Sequence, residues 1–158
     1  MTMEKKRAFT RRIAHANKTQ IITILYEMVM EYLDAARDAY EDGDMADFDI
    51  EVNRAQECIN ELIRSLHLEY DLAHNFLQLY LFAKRELIMA MTRHSIVPVE
   101  YVEHMMERLH ESYLELEKED MTPAQMQGTE TVYAGLTYGR EDLNEAVSLG
   151  GFSRGFMA

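Results

Sequence analysis

Tryptophan is absent from the 158 residues, proline occurs twice, cysteine once, and six of the seven glycines fall after residue 118. Each shortage excludes something. With so few helix breakers in the first three quarters, long helices meet no obstacle, and the chain reads as all-α. A lone Cys58 excludes an internal disulfide framework and fits a reducing compartment. No apolar run approaches the roughly 18–20 residues that cross a bilayer. The basic start, MTMEKKRAFTRR, has no apolar stretch behind it and so does not read as a secretory signal. A cytoplasmic protein with no membrane partner is expected.

What is present is apolar residue and negative charge. At 47% apolar and 28% charged, the chain has the material for one buried core. The formal charge is −12, but residues 1–20 carry Lys5, Lys6, Arg7, Arg11, Arg12 and Lys18 against Glu4 alone, a net +5 that leaves −17 for the rest. Such a body repels nucleic acid, so no nucleic-acid partner is expected. The nearest match for the basic start is the acidic body itself.

Four amphipathic segments follow, each with punctuation. Asn17 suits the cap of a first helix running to about Tyr40, where Gly43 supplies a stop. Asp44 can cap a second, with Met45, Phe48, Val52, Ala55, Ile59, Leu62 and Leu66 in alternating steps of three and four. After a break near HLEYD, Leu72, Phe76, Tyr80, Ala83, Leu87 and Ala90 line a third. Leu77, Leu81, Phe82, Ile88 and Met91 widen its apolar stripe. Pro98 suits the first turn of a fourth, which carries Val99, Val102, Met106, Leu109, Tyr113 and Leu116. The economical arrangement is an antiparallel up-down four-helix bundle over residues 18–117. An N-terminal arm, 1–17, precedes it, and a flexible C-terminal tail, 118–158, follows, with room for a short helix at Glu141–Val147.

A bundle raises the question of a di-iron site, which needs Glu-x-x-His pairs on two helices and a Glu on each of the others. Glu107 and His110 have the spacing, and Asp71 and His74 echo it. Asp71 and His74 fall at a helix start, however, and Glu51, Glu57 and Glu61 lie off the core stripe of the second helix. No metal or other cofactor is expected. Cys58 has no basic neighbour to make it a nucleophile, and the six histidines form no dyad or triad. No glycine loop precedes a Lys-Ser or Lys-Thr pair. An enzyme is not expected.

The first helix carries more apolar surface than one stripe needs. Ile22, Leu25, Val29, Tyr32, Ala36 and Ala39 make a core stripe, and Ile21, Ile24, Met28 and Ala35 trace a second beside it. Twelve methionines, several off the core lines, suit a surface that adapts to apolar partners. Such excess fits either a wide core or self-association, or a docking surface for other helices.

Three motifs in register resemble the FliS family, the flagellin-specific chaperones of bacterial flagellar export. FTRRIAHANKTQIITILYEMVMEYLDAA is similar to the family's aromatic start and first helix. VNRAQECINELIRSL, from Val52 to Leu66, and LYLFAKRELIMAM, from Leu79 to Met91, are similar to its second and third motifs. The likeness spans about residues 9–117. Departures are Lys18-Thr19 in place of Ser-Pro, Phe9 for the leading Tyr, and Met91 for the closing Asn.

The resemblance implies a bundle that holds the C-terminal region of flagellin as a monomer, with the export apparatus as a further partner. The free protein is expected as a monomer or weak homodimer. With that role, helical phase makes Ile21, Ile24 and Met28 on the first helix and Leu77, Leu81 and Ile88 on the third the expected partner-binding residues. Phe9 and Ile13 are expected to join them, on an arm that folds back on the bundle and moves when flagellin arrives. A helical adaptor with another partner is the alternative, and a ferritin-like metalloprotein a remoter one.

Overall fold

The structure, a computed structural model, describes residues 1–120. The tail's proposed helix at 141–147 lies outside the described residues, and positions 118 and 119 belong to the last helix.

Local chemistry starts and stops each element. Thr2 Oγ1 accepts from the Lys5 amide at 3.3 Å and opens α1, Met3–Ala14, with Glu4 in the first turn and Arg11 and Arg12 in the last. Both placements suit the helix dipole. The segment read as an arm therefore contains a three-turn helix. Its sequence shows no stripe because Phe9 and Ile13, one turn apart, are all the apolar surface it needs to lie on a neighbour.

Asn17 and Gln20 form a reciprocal capping box at the start of α2, Lys18–Glu41, each side chain accepting from the other's backbone amide at 2.9 Å. Gly43, at φ 74°, turns the chain, and Asp44 Oδ1 accepts from the Asp47 amide at 3.0 Å to begin α3, Met45–Arg64. After residues 65–70 comes α4, Asp71–Arg93, closed by His94 in the left-handed region at φ 46°. Pro98 sits in the first turn of α5, Val97–Glu119. The described residues are all-helical, with five helices and no strand.

Packing joins the helices in a closed ring: α2 lies beside α3 and α5, and α4 completes the ring against the same two. Helix α1 approaches α2 alone, outside the ring. Opposite senses for α2 and α5 follow from the pairs Arg37–Glu103, Glu27–His110 and Thr19–Asp120. Across the ring, the Tyr26 and Tyr80 hydroxyls meet, and the Tyr113 ring lies 5.3 Å from Tyr26 and 5.9 Å from Phe76. This aromatic knot ties α2, α4 and α5 where the backbones of α2 and α4 do not touch.

With three helices around it, α2 needs apolar residues on three sides. That is the use its second stripe has in this structure. Ile21, Ile24 and Met28 are 4%, 4% and 0% exposed and share one buried cluster with Phe9 and Ile13. The expected split between core and partner faces therefore does not describe the chain as it stands. Ile22, read as core, is only half-buried, while Ile21, Ile24 and Met28 are inside.

Candidate partner-binding surface

Two regions contain the residues the sequence singles out, at opposite corners of the ring. The first is the seat of α1. Arg12 donates to the Glu27 carboxylate from both terminal guanidinium nitrogens, Lys5 Nζ donates to Glu31 at 2.5 Å, and the N-terminal amine lies 3.4 Å from Glu51. Between these pairs Phe9 and Ile13 are buried, and the Arg12 guanidinium sits 5.6 Å over the Phe9 ring. The Glu27 carboxylate also meets His110 Nε2 at 3.2 Å, so one side chain joins α1, α2 and α5. Burial pushes the Glu27 carboxyl up, but Arg12 and His110 outweigh it and hold it below the ordinary glutamate value. The basic start thus finds its match in the acidic face of α2.

The second region is α4. Only Ala73, Tyr80, Ala83, Leu87 and Ala90 of its residues are buried, a narrow line with three alanines in it. Small residues let the helix sit close to its neighbours, so large side chains on either flank remain outside. Leu81 and Ile88 are 44% and 50% exposed, and Leu77 is half-buried. They share the flank of Lys84, whose Nζ donates to Asn60 of α3 at 2.6 Å. Leu72 and Leu79, 64% and 39% exposed, lie on the other flank with Phe76, which meets the Tyr113 ring of α5 edge-on. Phe82 points outward between them, and Leu68 and Tyr70 extend the apolar surface into the preceding loop. Scattered exposed apolar residues need no explanation, but seven of the thirteen large ones among the described residues fall between Leu68 and Ile88.

Thus Phe9, Ile13, Ile21, Ile24 and Met28 are all buried in the one core cluster, whereas Leu77, Leu81 and Ile88 share a flank of α4 on which Leu81 and Ile88 are exposed and Leu77 is half-buried. Sequence reasoning placed Leu72 and Leu116 on core lines, yet both are more than half exposed. They sit in terminal turns, where the ring offers nothing to pack against. Phe82 and Leu79 complete the open face; the width of the α4 stripe signalled Phe82, whereas Leu79 lay outside the stripe.

Other candidate chemistry settles into structural roles. Glu51 and Glu61 are buried and paired with Arg54 and Arg64, and His104 lies 3.6 Å from Glu107. Among the described residues no group of three His, Cys, Asp or Glu is placed to hold a metal ion. Cys58 is fully buried, and burial pushes its thiol far above the ordinary range. No described helix is long and apolar enough to cross a membrane. No curated protein matches the chain. The sequence model of the family described as "FliS: Flagellar protein FliS" matches residues 2–120, which is nearly all of the described region.

Proposed function

This chain belongs to the FliS family of flagellar proteins, and from that membership we propose that it is a cytoplasmic export chaperone that binds the C-terminal region of flagellin. Bound flagellin cannot polymerise early and stays in a state fit for secretion. The flagellar chaperone role comes with the family. The choice of flagellin, the cytoplasmic site and the up-down antiparallel arrangement of the bundle are the finer reading.

The observation that carries it is the open apolar face of α4. Flagellin helices lie along Leu77, Leu81 and Ile88 and along the opposite flank at Leu72 and Leu79. An amphipathic helix laid in a groove reads such a face through residues three and four apart. Burying on the order of 1,000 Å² of apolar surface, at about 25 cal/mol per Å², exceeds the several kcal/mol that ordering a free segment costs. No chemistry is required of the chaperone.

The seat of α1 supplies a second surface. When α1 lifts, Ile21, Ile24 and Met28 become available to the same partner, and Phe9 and Ile13 are the lid that covered them. Two of the ion pairs that hold α1, Lys5–Glu31 and Arg12–Glu27, reach the surface, where ion pairs are weak, and only the contact of the N-terminal amine with Glu51 is buried. A tightly bound ligand can displace such a helix.

Isothermal titration of the purified protein with a peptide of the last ~60 residues of a flagellin from the same genome tests the reading, a length suited to coupled folding. Saturable one-to-one binding is expected, with a negative heat-capacity change and a gain in helical circular dichroism. If no flagellin encoded by the organism binds, flagellin is not the partner and a helical adaptor for another protein takes its place.

A further inference from the structure

The open face of α4 has a candidate occupant within the same chain. We propose that the segment Glu141–Leu149, on the tail that follows α5, docks on the Leu81, Phe82 and Ile88 face of α4 and competes with the partner for it. The competition rests on the proposed chaperone reading, but the docking does not.

Geometry permits it. The ring contact between Phe76 and Tyr113 sets the last turns of α5 beside the first turns of α4. The chain leaves α5 at Asp120 on the Phe76 side of α4, across that helix from Leu81 and Ile88, and 38 residues, 121–158, follow. At about 3.3 Å per extended residue they reach far beyond the roughly 35 Å length of a 23-residue helix. Even the 20 residues from 121 to 140 are ample as a linker.

Charge and apolar surface together select the face, because the more basic α1 offers only Met3 as an exposed large apolar residue. Helix α4 carries Lys84, Arg85 and Arg93 against Asp71 and Glu86, a net positive charge, whereas α2, α3 and α5 are each net acidic. The segment opens on Glu141 and Asp142 and adds Glu145, so among the ring helices α4 alone attracts it. Its apolar residues Leu143, Ala146 and Val147 recur at three and four, and Asp142 with Glu145 has the spacing of a capping box ahead of Gly150. The pattern is that of a short amphipathic helix with one apolar side, complementary to a face whose Leu81, Phe82 and Ile88 are exposed.

A second copy of the chain is the weaker occupant. Two bodies of formal charge −12 repel each other, while a tethered segment faces a local concentration on the order of millimolar.

The test uses the full chain with a photoreactive benzophenone amino acid in place of Leu81 and, separately, of Ile88. Trypsin cuts after Arg140 and Arg154, so a crosslink to residues 141–154 is recognisable by mass. Crosslinks from either position to that fragment within a monomer are the expected result. Crosslinks only between copies, or none to the fragment, overturn the proposal. Flagellin is not used in this experiment, so its outcome is independent of the chaperone reading.

A second measurement reads the competition. The full chain with Leu143→Asp and Val147→Asp should bind more of an apolar dye than the unaltered chain. It should also bind the flagellin peptide about tenfold more tightly, the gain expected if the open form is about one tenth of the population. Equal dye binding by the two proteins counts against docking. A dye difference without any flagellin binding leaves docking standing and removes the chaperone reading instead.

Discussion

The carboxylate of Glu27 accepts from Arg12 of α1, Nη2 to Oε1 at 3.0 Å, while the same oxygen lies 3.2 Å from His110 Nε2 of α5. A side chain midway along α2 therefore fastens the outer helix to the ring. Because Arg12 and His110 hold its folded pKa below the ordinary value of 4.5, its contribution is present above that value and is lost as pH falls through the folded pKa. Glu27→Gln should lower the melting temperature at pH 7 by the equivalent of about 1 kcal/mol. That gap should close as the pH falls below about 4. Thermal melts of both proteins between pH 7 and pH 3 check this, and a gap independent of pH would contradict the assignment.

The Tyr26 and Tyr80 hydroxyls satisfy each other inside the ring. Removing one leaves the other buried beside a hydrogen-bonding vacancy, so Tyr26→Phe or Tyr80→Phe alone should cost about 1–3 kcal/mol. The double variant should cost less than the sum of the two, because no orphaned hydroxyl remains. Urea unfolding of the three variants measures the coupling. Burial also pushes both phenols well above their ordinary range. In an alkaline absorbance titration their ionisation should coincide with unfolding rather than precede it.

Met28 and Leu81 both stood as partner-binding candidates, and the structure places them differently. Met28 is fully buried, so Met28→Ala should cost about 2–5 kcal/mol of stability. Leu81→Ala removes an exposed side chain and should change stability by no more than about 0.5 kcal/mol. Its effect belongs in flagellin-peptide binding. A Leu81→Ala protein that melts several degrees lower yet binds normally would show that this flank of α4 is core.

His94 ends α4 at φ 46°, where a β-carbon is crowded and glycine is not. His94→Gly should therefore stabilise the protein by about 0.5–1 kcal/mol, partly offset by the freer unfolded chain. Gly43→Ala, at φ 74° in open space, should have the opposite sign for a conformational reason alone. Differential scanning calorimetry of the two variants compares them directly.

The caps and stops of the ring helices were legible in the sequence. Asn17, Gly43, Asp44 and Pro98 act within a turn of themselves, so their chemistry does not depend on what packs nearby. The core lines of α3 and the middle of α4 were legible for a related reason: period 3.6 ties a residue's direction to its neighbours on the same helix. The open face of α4 showed as a stripe wider than one seam.

Helix α1 was not legible, because two apolar residues, Phe9 and Ile13, are too few to set a period, and both their burial and the charge pairs with residues some 15 to 50 positions away depend on the neighbouring helices. The destination of the second stripe on α2 was not legible either. Helical phase says which residues share a side of α2, but not how many helices surround it. By itself the sequence determined where helices start, stop and carry apolar surface, since those are short-range properties of the chain. Only the tertiary structure decided that Ile21, Ile24 and Met28 are buried in the core while Leu81 and Ile88 are exposed. Burial depends on which helices are neighbours, and that is settled by packing between segments distant in sequence.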